Sequence, residues 1–419
     1  MWEQFRQQPQ DFTRTRVLTF ARVALLILRG HKLSLQNALN KCFTALGDVF
    51  GVPSASASCH ARHKLKPEVF AHLNDLTCRD FYHLAEAEGG VRRWRGHRLL
   101  GADGTYLNVP DTPATRAAFT LQVNQHQGAE CVQALCGVLY DLHNDLGLVA
   151  VVGQRQSEPK LLCTSLWAAT EPSDVLVLDR AYADYALMAY ALKHQRHVVV
   201  RLPRGRFTAC DEFWTSSLAE QLGELRVPVS ARQFVSDHQL PEALMVRLIR
   251  VVLEGGEVEV LVTTLLDAAA YPAAEFKQVY GWRWQEETFF DRFKNIFEVE
   301  RFSGTSVTVI HQDIQGALFL SSLESILTQP ARAELAATAQ ARQTRTVPQV
   351  NRAVSYVALV ERVVQLLLAV GDAEEVLAEL HHLFQTNPTR VRAGRRYERP
   401  KLRYAHKLRF HKYVKKLMA

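Results

Sequence analysis

Between residues 98 and 203, short apolar runs alternate with helix-like stretches, and this order constrains the fold more than any other feature of the 419-residue chain. "RLLGADGTYLNVPD" reads as a strand ended by a Pro-Asp turn. "VQALCGVLYDLHNDLGLVAVVGQ" reads as two strands around His-Asn-Asp-Leu-Gly, a hairpin signal. "EPKLLCTSLWAAT" reads as a helix, "SDVLVLDRAY" as a buried strand ending in charge, "YALMAYALKHQ" as a helix and "HVVVRLP" as another buried strand.

The resulting order, β-ββ-α-β-α-β, is that of a ribonuclease-H-like core. The fold class expected is therefore α/β: a ribonuclease-H-like catalytic core with a β-rich insertion, flanked by helical N- and C-terminal regions. Residues 1–95 read as helices with basic edges, a candidate DNA-binding region. Residues 96–203 form the first part of the core. Residues 204–271 form the insertion, where "LMVRLIRVVLEGGEVEVLVTTLL" gives two strands around Gly255-Gly256. Residues 272–330 form the second part of the core, and 331–419 a helical region with a basic tail. Within that last region, Ala/Gln/Arg-rich 333–346 reads as a linker, and the apolar helix 355–370 as either core or a contact between copies.

Charge is distributed unevenly. From Arg390 onward there are twelve Lys/Arg and one acid, +11 out of a net +7, so the preceding residues carry −4. Such a tail suits a polyanion. Seven cysteines without a CxxC spacing argue for a reduced compartment, and Cys131 and Cys136 read as strand residues. The run "VALLIL" is far too short to span a bilayer. A cytoplasmic, nucleoid-associated protein that is neither exported nor membrane-bound is expected.

The chemistry is carried by acids in costly places. Asp103 lies inside an apolar strand and Asp179 ends another; a carboxylate on a core strand needs a partner or a metal. In the core order those strands are neighbours, and a Glu from a later helix would complete a cluster. Three hard oxygen donors without His or Cys suit Mg²⁺ or Mn²⁺. Two such ions could activate a water or a 3′-hydroxyl at phosphorus. The later helix is "YGWRWQEETFFDRFK", Tyr280 to Lys294. On one helical wheel, Arg283, Glu287 and Lys294 fall within about 60° of Tyr280, opposite Trp282, Phe289, Phe293 and Ile296. Glu286 falls away from that arc. Asp291 falls on it and is the nearer rival to Glu287.

The spacing Tyr280-x2-Arg283-x3-Glu287-x6-Lys294 resembles the YREK signature of the IS4-type DDE transposases. "DGT" at 103–105 and "DRAY" at 179–182 resemble the other two acidic motifs of that family, and "CHARHKLKPEVF" fits more loosely. The resemblance implies that Asp103, Asp179 and Glu287 are catalytic metal ligands and that Tyr280, Arg283 and Lys294 contact DNA near the cut. Arg180, beside Asp179, and Arg396, Lys401, Arg403 and Lys407 in the tail are further candidate DNA contacts. Glu286 stands where the family commonly has an apolar residue, which leaves the acid ambiguous by one position. The resemblance also implies cut-and-paste strand transfer between terminal inverted repeats and target DNA, with a hairpin intermediate and a homodimer in a synaptic complex. Rival readings are a metal nuclease without strand transfer, an inactive DNA-binding regulator, and a glycosidase with paired carboxylates; the last leaves the cations around Glu287 unexplained.

Overall fold

Helices at the N-terminus share the two cores that flank the sheet. The computed structural model describes residues 2–14, 17–30, 34–48, 51–87, 89–123, 130–253, 255–344, 346–368 and 371–390. The tail candidates Arg396, Lys401, Arg403 and Lys407 therefore lie outside the described residues. Helix α1 (Phe20–Leu28) starts at Thr19, whose hydroxyl accepts from the Arg22 N–H, and buries Val23 to Leu28. Helices α2 (Leu35–Ala45), α3 (Ala55–Arg62) and α4 (Glu68–Ala87) follow. On α4, buried Asn74 donates to the Gly147 and Leu148 carbonyls at 2.8 and 2.9 Å, which fixes the helix to the sheet.

The sheet begins with β1 (Leu99–Asn108), followed by α5 (Pro113–Ala118), opened by a Thr112–Thr115 capping box, and β2 (Thr120–Val123). Then come β3 (Glu130–Asp141), β4 (Leu146–Gly153), α6 (Glu158–Leu161), β5 (Val175–Leu178), α7 (Tyr185–Lys193) and β6 (His197–Arg201). Residues 204–271 supply α8 (Asp211–Thr215), β7 (Glu220–Arg226), α9 (Arg232–Asp237), β8 (Ala243–Val252) and β9 (Val258–Thr263). Nine strands form one sheet in the order β2-β3-β1-β5-β6-β9-β8-β7, with β4 also on β3. Strands β1, β5 and β6 run parallel and the other pairs antiparallel.

The segment read as an insertion therefore extends the central sheet. Its strand β9 pairs with β6 from Val199↔Thr263 to Arg201↔Leu261, and Val260, Leu261 and Val262 are fully buried. Burial on both faces explains the apolar run, and the Gly255-Gly256 turn is made with Gly256 at φ +81°.

Among the described residues six more α-helices follow: α10 (Phe276–Trp282), α11 (Trp284–Asn295), α12 (Val307–Leu327), α13 (Gln329–Ala341), α14 (Arg352–Leu368) and α15 (Ala373–Thr386). Two expectations change here. The Ala-rich stretch expected as a linker is helical through Ala341, in keeping with alanine's helix propensity. Tyr280 to Lys294 is two helices that meet at Arg283, whose own backbone stays in the right-handed helical region. Helix α14 buries Tyr356, Leu359, Val363 and Val364 in the main core and leaves Val357 and Leu367 exposed.

Side chains of β1 alternate between two cores. Leu99 and Leu107 join the cluster that holds Phe289 and Phe293 of α11. Leu100 and Ala102 join the one that holds Leu161, Leu162 and Met188. Full burial of Phe289 and Phe293 is worth about 1.5–3 kcal/mol each and sets α11 against the first face.

Candidate active site

Asp103 lies mid-strand on β1 and is half-buried, with Oδ1 accepting the Gly104 N–H at 2.7 Å. Asp179 directly follows β5 and opens a short helical turn, Arg180–Tyr182, accepting the Ala181 N–H at 2.7 Å. Strands β1 and β5 pair in parallel at Leu99↔Val175 and Leu100↔Leu176, and each acid lies four residues beyond the first of these pairs. Burial pushes the Asp103 carboxyl up to about 6; the Gly104 N–H opposes this and Asp179 adds to it.

Helix α11 lies over the same face. Its Glu287 is 38% exposed and accepts from Arg283 Nη2 at 2.7 Å. The Arg283 guanidinium stands 5.6 Å from the Tyr280 ring centroid and 5.2 Å from that of Trp284. Tyr280 itself is buried, 7% exposed. Lys294 Nζ donates to the Tyr106 carbonyl on β1 at 2.9 Å, and Arg180 is exposed beside Asp179. Glu287 and Arg283 both act on the Asp103 carboxyl, Arg283 favouring its charge and Glu287 opposing it. The predicted acids thus share one neighbourhood, with Glu287 turned toward Arg283. Among the described residues, no three His, Cys, Asp or Glu side chains stand close enough together to hold a metal ion between them.

Asp291 is not the rival the wheel suggested. It is exposed and accepts from Asn295 Nδ2 at 2.8 Å. The rival is Glu286, 1% exposed, with Oε1 buried and without a hydrogen-bond partner. Burial raises its pKa well above the carboxylate range, and Asp103, Asp179 and Glu158 push in the same direction. The wheel set Glu286 off the arc of Tyr280, Arg283 and Lys294, toward the side of Phe289 and Phe293, and it is buried with them.

Glu158 is an acid of this neighbourhood that the sequence did not reveal. Burial, then Asp103 and Asp179, push its carboxyl up to about 7. It opens α6, a single turn placed by tertiary contact: Leu161 lies so close over β3 that a Cβ at Gly137 would stand 2.1 Å from its Cδ2. A glycine in an otherwise apolar strand was the available signal for that approach. Tyr182, quoted within "DRAY", is also fully buried, in the core that holds Leu100, Ala102 and Met188.

The other half of α11 is held by paired charge. Asp145, in the β3–β4 turn, accepts from Tyr140, from Arg292 of α11 at 2.6 Å, from Arg332 of α13 at 2.9 Å and from Arg352 of α14. Arg352 also pairs with buried Glu324 of α12, which accepts from Ser355. Five elements are tied together where α11 meets the hairpin.

The family model described as "Transposase DDE domain" matches residues 94–323, the span that carries β1, the Asp179 turn and α11. The chain belongs to this family. Similarity to the transposase InsG for insertion sequence element IS4 of Escherichia coli (strain K12) bears out the IS4-type resemblance read from the motifs, at 25% identity over 272 residues. That match covers 64% of this chain and 60% of the relative's length. A slight structural likeness, TM-score 0.40 at 9% identity, covers 87% of this chain and 76% of the matched chain in a cryo-EM structure of a piggyBac transposase synaptic complex with hairpin DNA. Among the described residues no helix is long and apolar enough to cross a membrane.

Proposed function

We propose that the chain is a DNA transposase of the IS4 type, which cuts at the ends of a mobile element and joins them to target DNA. The observation that carries the reading is the placement of Asp103 and Asp179, each four residues beyond one pair on parallel neighbouring strands, on the face where α11 presents Glu287. A ribonuclease-H-like core is supported by the order β4-β3-β1-β5-β6, antiparallel up to β1 and parallel after it.

The donor set fits a divalent metal. Asp103, Asp179 and Glu287 all offer hard oxygens, and the half-buried Asp103 carboxyl has like charge from Asp179 and Glu287 acting on it. In this reading Asp103, Asp179 and Glu287 hold Mg²⁺ or Mn²⁺, two ions in all. When bound, the metal supplies Lewis acidity to an attacking water or 3′-hydroxyl and to the leaving oxygen. The chain's own residues orient the acids and the DNA. Gly104 N–H holds Asp103 and Ala181 N–H holds Asp179. Arg283, held against the Tyr280 and Trp284 rings, presents a planar fork suited to a phosphate. Lys294, fixed to β1 three residues beyond Asp103, and exposed Arg180 add positive charge on either side. The basic tail adds non-specific attraction to the backbone. Joining two element ends calls for two copies of the chain on paired ends, working in the cytoplasm on nucleoid DNA.

The test is cleavage of a labelled DNA end carrying the element's terminal repeat, with Mg²⁺. The wild-type chain nicks it; Asp103→Ala, Asp179→Ala and Glu287→Ala each bind the end and leave it intact. Nicking by all three variants at the wild-type rate would overturn the reading.

A further inference from the structure

Strand β7, Glu-Gln-Leu-Gly-Glu-Leu-Arg, opens on an acid, closes on a base and has Gly223 at its midpoint. It ends the sheet: β8 is its neighbour on one side, from Glu220↔Ile249 to Arg226↔Ala243, and among the described residues no strand pairs with its other side. The bonds that flank this pairing, Arg250 N–H to the Ala219 carbonyl and Val227 N–H to the Glu242 carbonyl, keep the same register at 2.9 Å. Hydrogen-bonded residues alternate along an antiparallel pair, so the odd-numbered residues from 219 to 227 bond to β8. The backbone N–H and C=O groups of Glu220, Leu222, Glu224 and Arg226 therefore point out of the sheet.

The side chains of these four residues share one face. Leu222 is 54% exposed there, and Met245, diagonal to it on β8, is 46% exposed. Both Arg247 bonds to Glu220 fall on Oε2, which leaves Oε1 open to another donor. Exposed Arg226 bonds Glu224 through Nε, and the two terminal nitrogens of its guanidinium are open as well.

An open edge invites another strand, and the charges decide which strand fits. Antiparallel pairing of β7 with its own copy, about a two-fold axis at Gly223, sets Glu220 against Arg226 of the second copy at both ends. It engages all the outward groups in about eight backbone hydrogen bonds. Leu222 meets its own copy on the diagonal, with Met245 alongside, so an apolar centre lies between two opposite-charge pairs. The two nearest registers lose this match. An axis at Leu222 sets Glu220 against Glu224, and an axis at Glu224 sets that acid against itself.

We propose that β7 is the docking edge for a second copy of the chain, joining the two central sheets into one across a two-fold axis at Gly223. The contact is self-complementary and closes on two copies. It forms without DNA and stands apart from the reading of the acids.

The test is sedimentation velocity on the full chain without DNA, with circular dichroism to confirm folding. The wild-type chain forms a concentration-dependent dimer. Leu222→Lys puts charge in the apolar centre and Arg226→Glu sets like charges together at both ends; each weakens the dimer about tenfold or more. Both side chains are exposed, so the fold is kept. Gly223→Cys locates the axis: the two Cα atoms of a non-hydrogen-bonded pair stand about 4.5 Å apart, within disulfide reach, and mild oxidation links two chains. Gln221→Cys, which meets Leu225 of the second copy, links no faster than wild type. A wild-type chain that stays monomeric at its highest soluble concentration overturns the proposal. So does a dimer that either charge variant leaves as tight as wild type, or Gly223→Cys that links no faster than Gln221→Cys.

Discussion

The two ends of α11 treat buried charge in opposite ways. Near its C-terminal end, Arg292 enters a network in which both oxygens of Asp145 and both of Glu324 have partners. In its first turn, Glu286 is buried, its Oε1 has no partner among the described residues, and Asp103, Asp179 and Glu158 oppose its charge. One end is a structural joint in which each carboxylate oxygen meets a donor, though Arg292 Nε has none among the described residues. The other is held together at a cost, with like charges gathered and too few cations to balance them. Proteins keep such arrangements where a ligand or reaction uses them, and the contrast marks which end works on substrate.

The largest expected effect breaks the comparison at its functional end. Asp103→Ala or Asp179→Ala should abolish nicking of a labelled DNA end, yet leave the melting temperature in EDTA unchanged or raised, because a repelling carboxylate is gone. A gel assay and a thermal scan on the same preparations check both halves. Glu287→Ala should stay inactive at any metal concentration, whereas Glu286→Gln should recover as metal is raised. The reverse pattern would exchange their roles.

At the structural end the sign is opposite. Asp145→Ala leaves Arg292, Arg332 and Arg352 facing one remaining carboxylate, Glu324. Breaking a buried pair in this way should cost about 3–5 kcal/mol in urea unfolding. A loss below about 1 kcal/mol, the range of a surface pair, would show that the joint does not secure α11.

Arg283 lies between the two regimes, paired with Glu287 but aimed at the site. Arg283→Ala should keep the first nick and slow the second-strand, hairpin-forming step by about 10- to 100-fold, the worth of one charged hydrogen bond. Time courses on a labelled end separate the steps. Equal slowing of both, or no hairpin from the wild-type chain, would assign Arg283 to the ion pair alone.

The smallest effect concerns Glu158. Its folded-state pKa, raised to about 7, lies above its unfolded value, so the folded state binds the extra proton and stability falls as pH rises through that window. Glu158→Gln should therefore flatten the decline in melting temperature between pH 5 and about 7 in EDTA and change little at pH 5. An unaltered pH profile would place Glu158 outside the cluster.

How much of this was legible in the sequence follows from the range of each interaction. Asp103 and Asp179 could be found because a carboxylate on an apolar strand is conspicuous, and the order of strands made them neighbours. The hairpin β8–β9 was visible in its paired runs and Gly-Gly turn. Its union with β6 was not, because pairing Val200 with Val262 is a long-range choice that local pattern does not encode. That Glu286 reaches β1 was hidden, because the contact depends on the space that Gly101 leaves there. Glu158 was hidden because its short helix is placed by Leu161 against Gly137 rather than by its own sequence. The Asp145 joint draws on residues from 140 to 355, and nothing in the spacing of its arginines marks them as partners.

Diffraction from crystals soaked in Mn²⁺, recorded at the manganese absorption edge, tests the central claim most directly. The account predicts anomalous density within coordination distance of the Asp103, Asp179 and Glu287 carboxylates, and none at Asp145 or Glu324. Density held by other residues, with these three acids bare, would contradict it.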